Sequence, residues 1–347
     1  MGSNLNTYLS ELESKRTPHF ESAAEICAQQ FEPLRQPLQG LIVEGLTLFV
    51  GASKIGKSWF MLQLCCAVAM GTDFLGRKTE RGPVLYLALE DSQRRISERM
   101  KKLALPAPDS LKIWTRPTRA DDTLFPLIDN FLAENADARL IVVDTLQKVR
   151  GVSHGGVNIY EADYAFMGRL QEFAGQRRIA VVLVHHFSKL KGRDLDDPFD
   201  RVSGSTGLTG AADSTLLLFR KRGETEATLT FTGRDIHGPD LKLRLTENMH
   251  WCLCSAEESE RAAYERQPVV KALRLFAAQP SLTGTHRASY EDFRQWAGQN
   301  GIFLGTNAQQ VHKLLEAQAE NFERFDGLHL TFGIRIGKGV GFNVGRL

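Results

Sequence analysis

An α/β fold with a mostly parallel sheet, followed by a smaller α+β unit, is the architecture this sequence predicts, and three observations carry that expectation. Short apolar runs alternate with helix-like patterns from residue 41 to about residue 255. A Gly-x-x-x-x-Gly-Lys-Ser stretch joins the first of those runs to a helix-forming segment. From residue 262 the rhythm changes to three short helical patterns and a Gly-rich pair of strands.

The bulk numbers permit this. At 347 residues and 42% hydrophobic, the chain can bury a full core and accommodate about two domains at roughly 150 residues each. A net charge of +2, from 43 basic and 41 acidic residues, neither announces nor excludes nucleic acid, because the charges can be segregated into patches. Five cysteines, Cys27, Cys65, Cys66, Cys252 and Cys254, form no C-x-x-C pair, so neither a disulfide framework nor a zinc site is suggested and a reducing cytoplasm is expected. The start of the chain lacks an apolar signal core, and the longest greasy stretch, residues 59–70, is too short to cross a bilayer. No membrane role is expected.

The elements follow in order. Residues 1–40 read as a helical, amphipathic arm ("TYLSELES", "SAAEICAQQF") broken by "PLRQP". Residues 41–255 hold the runs "LTLFV", "PVLYLAL", "LKIW", "RLIVVD", "AVVLVHH", "STLLLF" and "ATLTFT". Unbroken apolar runs are strands buried on both faces, and the interleaved helices imply right-handed crossovers. The last two runs, joined by "RKRGETE", read as an antiparallel hairpin at the far edge. Residues 262–347 hold "QPVVKALRLFAA", "SYEDFRQWAGQNG", "TNAQQVHKLLEAQA" and "LHLTFGIRIGKGVGFNV", which resemble a winged helix, a module that contacts DNA or docks proteins.

"GASKIGKS" is a phosphate cradle in the required strand-to-helix context. Residues Gly51, Ala52, Ser53, Lys54, Ile55, Gly56, Lys57, Ser58 and Trp59 are the candidate nucleotide contacts. The loop's amides and the following helix N-terminus face the phosphates, Lys57 reaches the terminal oxygens, and Ser58 holds Mg²⁺. Asp144, at the tip of "RLIVVD", is the candidate metal-side carboxylate, with an N-cap of the next segment as the alternative. Glu90, at the end of "VLYLALEDS", is the candidate base that activates water, while Asp91 or Ser92 caps the next helix. His186, at the end of "AVVLVHH", is placed to sense the γ-phosphate.

The order Gly51–Ser58, Glu90, Asp144, the His185–His186 tip and "GSTGLTGAAD" resembles the RecA-like ATPase core of hexameric DNA helicases, the RepA-type plasmid and phage proteins and their DnaB-type relatives, over roughly residues 40–250. The resemblance implies ATP and Mg²⁺ as cofactors, Glu90 as catalytic base, Asp144 in the metal site and His186 as phosphate sensor. It also implies active sites shared between subunits of a ring, each completed by a neighbour's arginine. By its place in the terminal hairpin Arg234 resembles that finger, with Arg220 and then Arg222 next; the RepA-type finger position, inside "GAADST", has no arginine here.

Two loops, residues 146–158 and 187–203, correspond to those that line the channel of such rings and grip single-stranded DNA. Lys189, Lys191, Arg193 and Arg201 are the candidate phosphate contacts, with backbone at Gly204, although Asp194, Asp196, Asp197 and Asp200 cancel the four charges. The resemblance therefore implies an ATP-dependent helicase or translocase of mobile-element replication, self-assembled, probing DNA, and served by a replication initiator or primase. Its competitors are a non-translocating ATP switch whose winged helix binds DNA or a protein, and a recombinase filament, for which no separate polymerisation motif is evident.

Overall fold

The computed structural model describes residues 20–120, 123–149, 159–187, 199 and 206–346. Nine strands form one sheet: β1 (Gly45–Gly51), β2 (Val84–Ala88), β3 (Leu111–Trp114), β4 (Leu140–Asp144), β5 (Ala180–His186), β6 (Ser214–Arg220), β7 (Glu226–Gly233), β8 (Leu241–Leu245) and β9 (Trp251–Leu253). Their order is β3-β2-β4-β5-β1-β6-β7-β8-β9. The first six are parallel, and the last three add an antiparallel meander.

All seven strand runs read from the sequence are present. The expected hairpin of β6 and β7 forms, but it is not the edge: β8 and β9 extend the sheet beyond it. Those two strands escaped notice because "LKLRL" is half charged and "WCL" is only three residues long.

The period of two in the central strands divides their side chains between two cores. In β4, Leu140 and Val142 point into one core, and Ile141 and Val143 into the other. The first core is roofed by α2 (Lys57–Met70) and α3 (Gln93–Leu103), through Phe60, Leu64, Ile96 and Leu103. The second is roofed by α4 (Leu124–Glu134) and α6 (Ile159–Arg177), through Ile128, Phe131, Met167 and Leu170. With helices on both faces, the continuous apolar strands are explained. Helix α2 is apolar nearly all round because it lies inside the domain. No described helix is long and apolar enough to cross a membrane.

Ahead of β1, α1 (Ala23–Ala28) is a single capped turn whose residues bury nothing; Phe20, Ile26, Phe31 and Leu34 are exposed. The "TYLSELES" part of the arm lies outside the described residues. The chain enters the core at Leu38, Leu41 and Ile42. Two short helices, α5 (Leu146–Val149) and α7 (Thr206–Ala211), flank the two loops described above, whose residues 150–158, 188–198 and 200–205 lie outside the described set.

After β9 comes α8 (Ala256–Glu265), then a unit with its own core built from α9 (Pro268–Ala277), β10 (Thr285–Ser289), α10 (Tyr290–Gln299), α11 (Ala308–Glu316), β11 (Leu328–Ile336) and β12 (Gly339–Arg346). The three helical patterns and the strand pair appear where expected. The sequence reading missed β10, which packs against β12 to make a three-stranded sheet. Gly341 allows that approach: a Cβ there would lie 2.0 Å from the Ala288 carbonyl oxygen.

Candidate active site

In a mostly parallel sheet the carboxyl ends of the strands form one rim, and the strand order places β2, β4, β5 and β1 side by side there. Glu90 follows β2, Asp144 ends β4, His186 ends β5 and Gly51 ends β1. These ends and the first turn of α2 enclose a cavity of about 460 Å³ lined by Lys54, Gly56, Lys57, Ser58, Trp59, Glu90, Asp144, Thr145 and His186, among others. The candidate base, metal and sensor residues thus meet the phosphate cradle in one place.

The cradle turns through Lys54 (φ +65°) and Gly56 (φ +105°) into the N-terminus of α2. Gly51 must lack a side chain: a Cβ would lie 2.6 Å from Ile55 Cδ1 and 2.9 Å from the Leu218 carbonyl oxygen. Lys57 Nζ donates to the Gly51 and Ala52 carbonyl oxygens at 2.7 and 2.9 Å, and to His186 Nδ1 at 2.9 Å. Burial lowers its pKa to about 8, against the opposing pull of Asp144 and Glu90.

A ring nitrogen that accepts from an ammonium is unprotonated, so the proton of His186 resides on Nε2, which lies 4.0 Å from Glu90 Oε1. Burial, then the Lys57 charge, hold the imidazole below its ordinary pKa, so it is neutral at pH 7. Ser53 Oγ lies 3.4 Å from the same Nδ1. His186 therefore bridges the cradle lysine and the carboxylate across the cavity.

Glu90 is partly exposed and receives a hydrogen bond from Thr145 Oγ1 at 3.2 Å. Thr145 is itself buried, which restricts where that carboxylate sits. Asp91 also lines the cavity, but it is buried and ion-paired to Arg95 (3.1 Å) and Arg99. Arg99 in turn lies over the Trp59 ring at 5.3 Å. Ser92 caps α3 by accepting from the Arg95 amide.

Asp144 is buried and accepts from the Tyr86 hydroxyl at 2.9 Å. Burial raises its carboxyl pKa, although hydrogen bonds from Ser58 and Tyr86 pull the other way. A buried carboxylate beside a serine hydroxyl fits a hard divalent cation, which prefers oxygen ligands and would supply the charge this corner lacks. Among the described residues no group of three or more His, Cys, Asp or Glu side chains would hold a metal, so a cation here relies on Ser58, Asp144 and the nucleotide's own oxygens.

The two arginines part company. Arg220 Nε donates to the Ile55 carbonyl at 2.9 Å, Nη2 faces the Lys54 carbonyl at 3.5 Å, and Nη1 donates to the Glu224 carbonyl at 2.6 Å. Its guanidinium is committed to the cradle of its own chain. Arg234 follows β7 at the other rim of the sheet, paired with Asp213 at 3.1 Å, with a side chain 63% exposed. Asp213 accepts from the Leu46 amide, five residues before Gly51, so Arg234 stands about 16 Å along the strands from its own cradle. It cannot serve its own cavity. Lys189, Lys191, Arg193, Arg201 and Gly204 lie outside the described residues.

Several members of the site were not read from the sequence. Thr145 had a signal, a hydroxyl directly after a strand-end aspartate. Trp251 and Gln63 had none: the Trp251 indole donates to the Gly56 carbonyl at 3.1 Å, and Gln63 accepts from the Trp251 amide at 3.0 Å.

Comparison with known proteins agrees with this geometry. A model of the AAA domain family matches residues 13–192, just over half of the chain. The DNA repair protein RadA of Pseudomonas aeruginosa is 28% identical over 193 residues, covering 54% of this chain and 36% of that protein. The match thus spans about a third of that relative's length. The ATPase domain of G40P superposes with a TM-score of 0.51 at 13% identity, over 61% of this chain and 85% of that one. A DnaB-like replicative helicase, solved in a study of its interactions with primase, gives 0.52 at 13% identity, over 73% and 66%. At such identities the likeness is one of fold. Motif, fold and family match converge: the chain belongs to the AAA domain family, and its nine-stranded unit has the RecA-like fold seen in the ATPase domain of G40P and in the DnaB-like helicase.

Proposed function

We propose that this protein is an ATP-dependent DNA helicase or translocase of RepA type that hydrolyses ATP at interfaces between its own copies and moves on single-stranded DNA during replication of a mobile element. The observation that carries this reading is the convergence of Lys57, Ser58, Glu90, Asp144 and His186 on one cavity, while the candidate finger Arg234 stands at the opposite rim. A catalytic arginine that cannot reach its own site needs a second copy.

In this reading Lys57 and the loop amides hold the triphosphate, and Ser58 and Asp144 would hold Mg²⁺, which would supply positive charge against the phosphate oxygens. Glu90, its carboxylate restrained by Thr145, takes the proton from a water that attacks the γ-phosphorus as the bond to the β-γ bridging oxygen breaks. His186 donates through Nε2 toward the new phosphate, and Arg234 of a neighbour meets the charge that develops. Loss of the γ-phosphate frees His186, and β5 leads straight into the loop at 187–205, through whose Lys189, Lys191, Arg193, Arg201 and Gly204 DNA is gripped in this reading.

Residues 41–255 are the ATPase domain of this proposal, residues 262–347 a winged-helix-like module and residues 1–40 an arm. The assembly is a ring, hexameric in the resembled helicases, in the cytoplasm, with an initiator or primase as further partner. A second reading is favoured by the order of the C-terminal unit, helix, strand, two helices and a hairpin, which is that of a winged helix: an ATP switch that binds DNA or a protein there without translocating.

ATPase and strand-displacement assays with and without single-stranded DNA decide between them. The helicase reading expects stimulated hydrolysis and unwinding; ATP-dependent binding without unwinding supports the switch. Glu90→Gln should lower hydrolysis by about 10²–10⁴-fold with nucleotide binding retained, and a variant as fast as the natural protein would refute the assignment of Glu90.

A further inference from the structure

For the amides of a phosphate cradle to face an anion, its carbonyls must turn outward, and an outward carbonyl in a buried place needs a donor. Here the Ile55 carbonyl has Arg220 at 2.9 Å. The Gly56 carbonyl has the Phe60 amide at 3.0 Å and, from outside the helix, the Trp251 indole N–H at 3.1 Å.

Trp251 does more than donate. Gly56 adopts φ +105°, and a Cβ on it would lie 2.9 Å from the indole Cζ2. The ring therefore occupies the space a side chain would take and bears on the turn where loop becomes helix. The ring also packs edge-to-face against Phe60 at 6.3 Å between centroids, and the residue is 3% exposed.

The strand that carries it is tied down at the same place. Gln63 Oε1 accepts from the Trp251 amide at 3.0 Å, while Gln63 Nε2 donates to the Trp59 and Met249 carbonyls at 3.1 and 3.0 Å. One side chain thus joins the first turns of α2 to Met249 and Trp251, where the β8–β9 turn enters β9. Met249, held at φ +65°, lines the nucleotide cavity from that turn. Strand β9 is otherwise the outermost of the sheet, paired over three residues only.

We propose that β9 is a strap that sets the phosphate cradle from behind, with Trp251 as a positioning residue for nucleotide binding. The inference rests on the reading of the cavity as a triphosphate site. Because the cradle grips β- and γ-phosphates before as well as during hydrolysis, loosening it weakens ground state and transition state alike, and the effect falls on KM more than on kcat.

The test uses the full chain with Trp251→Phe, which keeps a ring and deletes the N–H. A neutral hydrogen bond of this kind corresponds to about a fivefold change in affinity. The expected result is a rise of about fivefold in ATP KM and in the Kd for ADP, with kcat changed by less than about twofold and a circular-dichroism spectrum that shows the variant folded at the assay temperature. Wild-type affinity for ADP in a folded Trp251→Phe protein overturns the strap, as does a fall in kcat with KM unchanged. If that variant fails to fold, Gln63→Ala, which frees β9 from α2 but leaves the indole, takes its place: a raised KM supports the strap and an unaltered one overturns it. Should the natural protein bind no better than Lys57→Ala, the triphosphate reading itself fails, a result distinct from either.

Discussion

Raising the pH from 7 to 9 should weaken nucleotide binding about tenfold through one side chain. In the nucleotide-free protein Lys57 sits among two carbonyls and the neutral His186 ring, and burial lowers its pKa to about 8. Phosphate oxygens favour the ammonium form, so a lysine that has lost its proton must regain one on binding. With that pKa, about nine-tenths of the molecules carry the charge at pH 7 and about one-tenth at pH 9. Binding at pH 9 then takes up about 0.9 proton per nucleotide, whereas an ordinary lysine would take up less than about 0.1.

Three buried groups near the cavity lie above this window. Burial pushes Cys66 up to about 11, and Cys65 and Tyr86 well above their ordinary values. His186 lies below it because burial and the Lys57 charge lower its pKa; burial raises the Asp144 carboxyl, and any proton that it takes up persists in Lys57→Arg and is subtracted with that variant. Isothermal titration of ADP at pH 9 in two buffers of different ionisation enthalpy measures the uptake, and Lys57→Arg, which stays charged, is the control. An uptake below about 0.2 proton at pH 9 would refute the reasoning, since only an unshifted lysine behaves so. The same shift has a stability consequence. The unfolded chain binds more protons than the folded one between about pH 8 and 10.5, so the nucleotide-free protein should gain stability as pH rises through that range.

Asp144→Asn should abolish Mg²⁺-dependent hydrolysis yet leave the nucleotide-free protein as stable or more so, because it removes a carboxylate whose burial is unfavourable; a thermal melt without nucleotide checks it, and a large destabilisation would contradict the assignment. Phe293→Ala removes a ring with no exposure that contacts Phe276, Trp296 and Phe342, at a cost of about 3–5 kcal/mol. Because these partners belong to a core separate from the two around the sheet, hydrogen exchange should quicken in residues 268–346 while ADP affinity holds; loss of both together would show one cooperative unit.

What proved legible was whatever a local pattern encodes. Strands β1, β2, β4 and β5 are buried on both faces, so burial wrote continuous apolar runs into them, and their polar ends marked the rim that holds Glu90, Asp144 and His186. The cradle was legible because its glycines answer to backbone sterics within eight residues. Strands β8 and β9 were missed because an edge meander of alternating or very short strands carries little periodicity, and β10 because "THRAS" has almost no apolar content.

By itself, then, the order of residues determined the α/β class, the phosphate cradle and which carboxylates and histidine share its rim, since each depends on neighbours close in the chain. Only the tertiary structure decided how the arginines divide and what sets the cradle. Arg220 meets Ile55 across 165 positions and Trp251 meets Gly56 across 195. Contacts that far apart are created when β6 pairs beside β1 and the edge meander packs against α2, and no local periodicity records them.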